Sequence, residues 1–271
     1  MLTLTEIRIY PVKALRGLSL ATATVNPWGL TGDRRWMVVD ETGRFITQRE
    51  TPKLATLTAL LREDGLTLCA DGEAPLDIPF PTADSMKLPV VVWGDTVTAS
   101  LAAPQAADWL SRLLDRHARL VFMANPQEAR LVSEPYRTAA EPVTFADGFP
   151  LLATSSGSLE ALNASLAHPV PMDRFRTNIS ISGAAAWDED SWVRLRVGSV
   201  LFRAPKPCAR CTVVTTDQMT GERPHRNEPL KTLAAVHRDD QGRIIFGQNL
   251  IPETTGTISV GDPVEILERR S

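Results

Sequence analysis

The segment Lys206-Pro207-Cys208-Ala209-Arg210-Cys211 carries the densest chemistry of the chain. A C-x-x-C pair supports several chemistries. A thioredoxin-like redox pair needs its first cysteine at a helix N-terminus, where the dipole lowers the thiol pKa. Here the β-branched run Thr212-Val213-Val214-Thr215-Thr216 follows Cys211 and favours a strand. A structural zinc site needs four ligands. His225, His237 and the distant Cys69 would have to complete it, at spacings that match no finger or ribbon. Two buried cysteines at a strand start are the plain structural reading. Arg210 between them weakens it, because a buried arginine wants an anionic partner. The fourth reading is a thiolate that ligates a soft metal held by an anionic organic cofactor.

Such a cofactor's phosphate would require arginines, which bind phosphate through paired N–H donors. Two clusters offer them: Asp33-Arg34-Arg35-Trp36 and Asp173-Arg174-Phe175-Arg176-Thr177-Asn178. Each alone also reads as a solvated charge run. Composition and spacing leave these readings open.

The elements that must position these residues are short. Ile7 and Ile9 alternate with polar neighbours until Pro11 stops the run. Residues 35–39 read as a second strand. Leu57 to Leu61 and Leu66 to Leu68 flank Asp64-Gly65, a hairpin signal. Another hairpin lies between Leu88 and Ala99 around Trp93-Gly94-Asp95, and a third joins 193–197 to 200–202 around Gly198-Ser199. Helical spacing over 104–116 places Trp109, Leu110, Leu113 and Leu114 on one face, with Pro104 near the start. Further helices are expected over 157–167, capped by Ser155 or Ser156, and over 229–237. Strands are expected over 120–123, 179–182, 243–246, 257–260 and 264–267. Twenty prolines and sixteen glycines punctuate the chain throughout, as in a β-rich protein.

The 271 residues are 43% hydrophobic and 23% charged, an ordinary globular balance. A net charge of -3 argues against a general nucleic-acid binder. Three cysteines, Cys69, Cys208 and Cys211, do not make a disulfide framework. The N-terminal residues show no secretory signal, and no apolar run approaches bilayer length. A cytoplasmic protein without membrane contact is the expectation.

The ordered segments Tyr10-Pro11-Val12-Lys13, Gly32-Asp33-Arg34-Arg35-Trp36, Asp173 through Ile179, Glu189-Asp190-Ser191-Trp192 and Cys208-Ala209-Arg210-Cys211 resemble MOSC-domain proteins. The likeness is to the branch with an N-terminal β-barrel domain, which includes the bacterial YcbX-like proteins and the mitochondrial amidoxime-reducing component. Gly247-Gln248-Asn249 and Ile258 through Val264 fit as well, so the resemblance covers nearly the whole chain. It implies a mixed, β-rich fold: a barrel-like MOSC N-terminal domain over 1–124, and a MOSC β-barrel domain with a few peripheral helices over 125–271. It implies a molybdenum–pterin cofactor between them, with Cys211 as the molybdenum ligand. Lys13, Arg34, Arg176, Asn178 and Arg210 are then cofactor contacts, and Cys208 is not a ligand. Ala14 replaces a serine frequent in that family, and Arg35 an aromatic residue. Asp147 and Ser155 fall in segments that match the family less well.

The implied activity is reduction of N-hydroxylated or N-oxygenated compounds. No cysteine follows Cys211, so no iron–sulfur cluster is expected in this chain. Electrons would come from a separate ferredoxin, flavoprotein or b-type cytochrome. The rival is a molybdenum-cofactor carrier or sulfur-relay protein without turnover of its own. No desulfurase domain is recognisable, so pyridoxal phosphate is not expected. A metal-free module with a structural cysteine pair is the third reading.

Overall fold

A computed structural model describes residues 1–270. Seven strands close a barrel in the order Leu2–Ile9, Ile179–Ser182, Leu151–Ser155, Ile245–Pro252, Val200–Ala209, Trp192–Val197 and Pro263–Arg269, which returns to Leu2–Ile9. Leu18–Leu20 adds to the outside of the first strand. The barrel pairings are antiparallel except Leu151–Ser155 with Ile179–Ser182. A parallel pair needs a crossover, and the helix Ser156–Ala164 followed by the 3-10 turn Met172–Phe175 supplies it.

Alternation explains the barrel core. Ile7 and Ile9 face inward with Ile179, Ile181, Leu195, Val197, Val200, Phe202 and Trp192. A register shift between Leu4 and Glu6 lets Leu4 point inward as well. Fully burying side chains of this size contributes about 1.5–3 kcal/mol each.

A second sheet runs Lys87–Val92, Asp95–Leu101, Arg119–Phe122, Trp36–Val39 and Val12–Lys13. It is buried on both faces. Trp36 and Val38 pack with the helix Pro104–Leu114, while Met37 and Val39 pack with Val90, Val97 and Phe145. A meander of Thr58–Arg62, Gly65–Cys69 and Leu76–Pro79 covers one side, and Cys69 ends its middle strand. No helix among the described residues is long and apolar enough to cross a membrane.

Strands from both halves of the chain share sheets: Leu2–Ile9 lies in the barrel, and Thr22–Asn26 pairs with Gly256–Ser259. Two expectations change. The run after Cys211 is not a strand but the 3-10 turn Thr212–Thr215. Val214 is buried beside Phe175, Leu233 and Phe246, and the Thr215 hydroxyl bonds the Thr212 carbonyl. Tertiary packing overrides the β preference there. The cysteine pair accordingly ends a strand rather than starting one, with Cys208 inside Val200–Ala209. Finally, neither Ser155 nor Ser156 caps the helix Ser156–Ala164 through its side chain. The buried Glu189 carboxylate lies there instead, and the Ser158 hydroxyl donates to it at 2.6 Å. A carboxylate suits the first turn of a helix.

Candidate active site

The barrel and the second sheet border an open cleft with a cavity volume of about 150 Å³. All six residues singled out in the sequence line it: Lys13, Arg34, Arg176, Asn178, Arg210 and Cys211. Arg35 and Arg174 do not. Arg35 turns away to the Met123 and Ala124 carbonyls, and Arg174 pairs with Asp217. Ser155 is fully buried outside the cleft.

Backbone conformation aims several of these groups. Ala14, Arg34, Trp93 and Arg176 all line the cleft with positive φ, at 71°, 48°, 55° and 53°. Non-glycine residues rarely adopt this region, and each costs on the order of 1–3 kcal/mol. Arg176 does so because it ends the 3-10 turn Met172–Phe175. Arg34 is fixed by Asp33, which is 1% exposed. One Asp33 oxygen accepts the Tyr10 N–H at 2.7 Å, and the other pairs with the Arg34 guanidinium at 2.5 Å.

The two arginines flank one ring. Arg34 and Arg176 lie 4.4 and 4.2 Å from the Tyr10 ring centroid. Tyr10 is buried and donates to the Thr177 carbonyl, and that burial pushes its hydroxyl up to about 12. Burial, with the neighbouring Arg34 charge, pulls Arg176 down to about 10. Among the described residues its guanidinium hydrogen-bonds the neutral Gln218 amide oxygen, at 3.0 Å, and no carboxylate. Asn178 bonds Arg34, the Leu152 N–H and the Arg8 carbonyl. With 1% exposure it acts mainly by holding Arg34.

Nearby in the cleft, Lys13 reaches the Phe145 carbonyl at 2.7 Å and Asp147 at 2.5 Å. Burial pulls the Lys13 ammonium down, against the pull of Asp147. Burial would raise Asp147, but Lys13, the Trp93 indole and Arg34 together hold it well below the usual carboxylate range. The Asp147 side chain is nonetheless 72% exposed, because its accessible surface is the cleft itself.

The thiol end holds two groups that the motifs did not single out. Arg49 donates to Cys211 Sγ at 3.3 Å and lies 4.8 Å from the Trp93 ring centroid. Trp93 occupies a hairpin tip and donates to Asp147 at 3.1 Å. The one sequence signal for it was a bulky residue where the turn prefers Asn or Asp before glycine. Arg49, between Gln48 and Glu50, gave none. Arg210 donates to the Phe175 carbonyl at 2.8 Å and to Cys208 Sγ at 3.0 Å, and its Nε is buried without a partner.

This arrangement separates the four cysteine readings. Cys208 lies in a strand, so no helix dipole acts on it as a redox pair would require. Among the described residues no group of three or more His, Cys, Asp and Glu converges as metal ligands, so a zinc site lacks its ligand set. His225 stacks on His168 and His237 on Trp187, both outside the cleft lining. The cysteines are half-buried and face the cleft rather than a core. Five cationic side chains line the cleft against the single carboxylate of Asp147. That excess, the partnerless Arg210 Nε and the accessible thiol fit an anionic cofactor with a thiolate-binding metal.

Comparison with known proteins agrees with this layout. The MOSC N-terminal beta barrel domain model matches residues 1–117, and the MOSC domain model matches residues 140–265. The chain is 35% identical to mitochondrial amidoxime-reducing component 1 of Mus musculus, over 98% of this chain and 82% of that protein. It is 32% identical to mitochondrial amidoxime reducing component 2 of Rattus norvegicus, over 97% and 82%. The Homo sapiens component 1 is 31% identical, over 98% and 83%. The chain belongs to the MOSC-domain family. Within this family frame, the cleft lies between the two matched regions, and both contribute walls to it: Lys13, Arg34, Arg49 and Trp93 from the first, Asp147, Arg176 and Cys211 from the second.

Proposed function

We propose that this MOSC protein reduces N-hydroxylated compounds with a molybdenum–pterin cofactor held in the cleft through Cys211, using electrons from a separate redox protein. The observation that carries the reading is an accessible thiol in a cleft with five cations and one carboxylate. The relatives named as amidoxime-reducing components support the substrate class.

When bound, the cofactor supplies a redox-active metal that can take up oxygen. The chain's own residues do the rest. Arg34 and Arg176 are pre-aligned on Tyr10 and lose little freedom on meeting a phosphate. Arg210 adds a third guanidinium on the barrel side. Cys211 offers its sulfur as the ligand. Lys13 and Asp147 form the polar wall, and the Lys13 ammonium can hold or release a proton at Nζ. Protons can be supplied by Lys13 or by solvent, and no histidine among the described residues lines the cleft.

The deciding experiment uses a host that makes molybdenum cofactor, with wild type and Cys211→Ala expressed side by side. Molybdenum per chain and fluorescent oxidised pterin are measured, then benzamidoxime reduction with reduced viologen. Near-stoichiometric metal in wild type, its loss in the variant, and turnover by wild type are expected. A fully loaded wild type that reduces nothing would make the protein a cofactor carrier. A folded wild type lacking both metal and pterin would remove the reading.

A further inference from the structure

Arg49 differs from the other cations of the cleft. Lys13 is paired with Asp147, and Arg34 with Asp33. Arg176 and Arg210 are anchored on Gln218 and on the Phe175 carbonyl. The Arg49 guanidinium hydrogen-bonds Cys211 Sγ, and among the described residues no carboxylate pairs with it. A guanidinium has five N–H donors, so most of its capacity remains open beside the sulfur. Its backbone is fastened meanwhile: the Arg49 N–H bonds the Thr47 hydroxyl, and its carbonyl accepts from Arg223.

Trp93 backs this guanidinium. Its ring has Arg49 over it and Phe45 at 5.2 Å, yet the residue stays 44% exposed. The hairpin holds it at φ 55°, a strained setting for an indole. The Asp147 bond ties this tip of the second sheet to the barrel side of the cleft.

We infer that Arg49 and Trp93 form the substrate wall: Trp93 stacks the planar body of an N-hydroxylated compound, and Arg49 holds its N–O oxygen beside Cys211. This inference rests on the reductase reading above. In the overall reaction an amidoxime takes up two electrons, from a separate reduced redox protein, and two protons. The N–O bond breaks, an N–H bond forms, and the oxygen leaves as water. Negative charge grows on that oxygen as the bond breaks, and a fixed guanidinium donor stabilises it. Arg49 is therefore a catalytic residue, and Trp93 determines specificity for planar substrates.

The test uses holoprotein in wild-type, Trp93→Ala, Trp93→Phe, Arg49→Gln and Arg49→Lys forms, each with molybdenum per chain measured. Calorimetric binding of benzamidoxime and of acetamidoxime, which has no ring, is recorded without reductant. Turnover per molybdenum follows with reduced viologen. Trp93→Ala is expected to weaken benzamidoxime about three- to tenfold and acetamidoxime hardly at all, with Trp93→Phe near wild type. Arg49→Gln is expected to lower turnover per metal about 100-fold, with part restored by Arg49→Lys. Equal effects of Trp93→Ala on both ligands, or unchanged turnover per metal in Arg49→Gln, would overturn the inference while wild-type turnover leaves the reductase reading intact. The binding comparison needs no turnover, so it decides the Trp93 assignment even if wild type reduces nothing.

Discussion

Tyr10 shows how one side chain can organise a charged site. Two guanidiniums would repel at close range in an apolar setting. Here both lie against the electron-rich faces of one buried ring. Removing the ring should cost stability and also release Arg34 and Arg176. Tyr10→Ala is expected to destabilise by about 3–5 kcal/mol in denaturant unfolding. Tyr10→Phe keeps the platform and loses only the bond to the Thr177 carbonyl, at about 1–2 kcal/mol. Cofactor retention should follow the ring and not the hydroxyl, which metal analysis of the two variants would show.

At the scale of elements, the first turn of the helix Ser156–Ala164 receives a carboxyl group from outside it, bonded by the Ser158 hydroxyl. Glu189 is fully buried, and burial raises its pKa above the ordinary value, against the Ser158 bond that lowers it. A carboxylic acid with a raised folded pKa binds its proton more tightly in the folded state. Its contribution is fully present below the unfolded pKa and is lost as pH rises through the folded value. Glu189→Gln removes that loss. The Tm difference between variant and wild type should therefore move in the variant's favour as pH rises from about 4 to about 8. A difference that stays flat over that range would mean that ionised Glu189 is held without cost.

For the whole molecule, strand exchange binds the two halves into one folding unit. Leu2–Ile9 pairs with both Ile179–Ser182 and Pro263–Arg269 and closes the barrel. A fragment spanning 125–271 would leave those two edges open, with Ile179, Ile181 and Val264 uncovered. Such a fragment is expected to be insoluble or molten, with poorly dispersed amide resonances. Adding the 1–9 peptide should improve dispersion only if the missing strand is the cause. A well-folded fragment alone would refute this account.

Local sequence determined much of this protein. Alternation at Ile7 and Ile9 marked an inward-facing strand, and turn residues marked the hairpins at 58–69 and 192–209, because these signals act between near neighbours. The ordered motifs also pointed to six residues that meet in one cleft. What the tertiary structure alone decided are the relations between distant segments. Period-two alternation cannot say that the first strand closes the barrel, since any apolar edge would satisfy it. The β-branched run after Cys211 becomes a 3-10 turn because Val214 finds a buried place beside Phe175 and Phe246. Arg49 and Trp93 meet at Cys211 because separate loops converge there, and one of them holds a tryptophan in a left-handed turn. A strained residue of that kind is kept by the contacts around it, and those contacts exist only once the chain has folded.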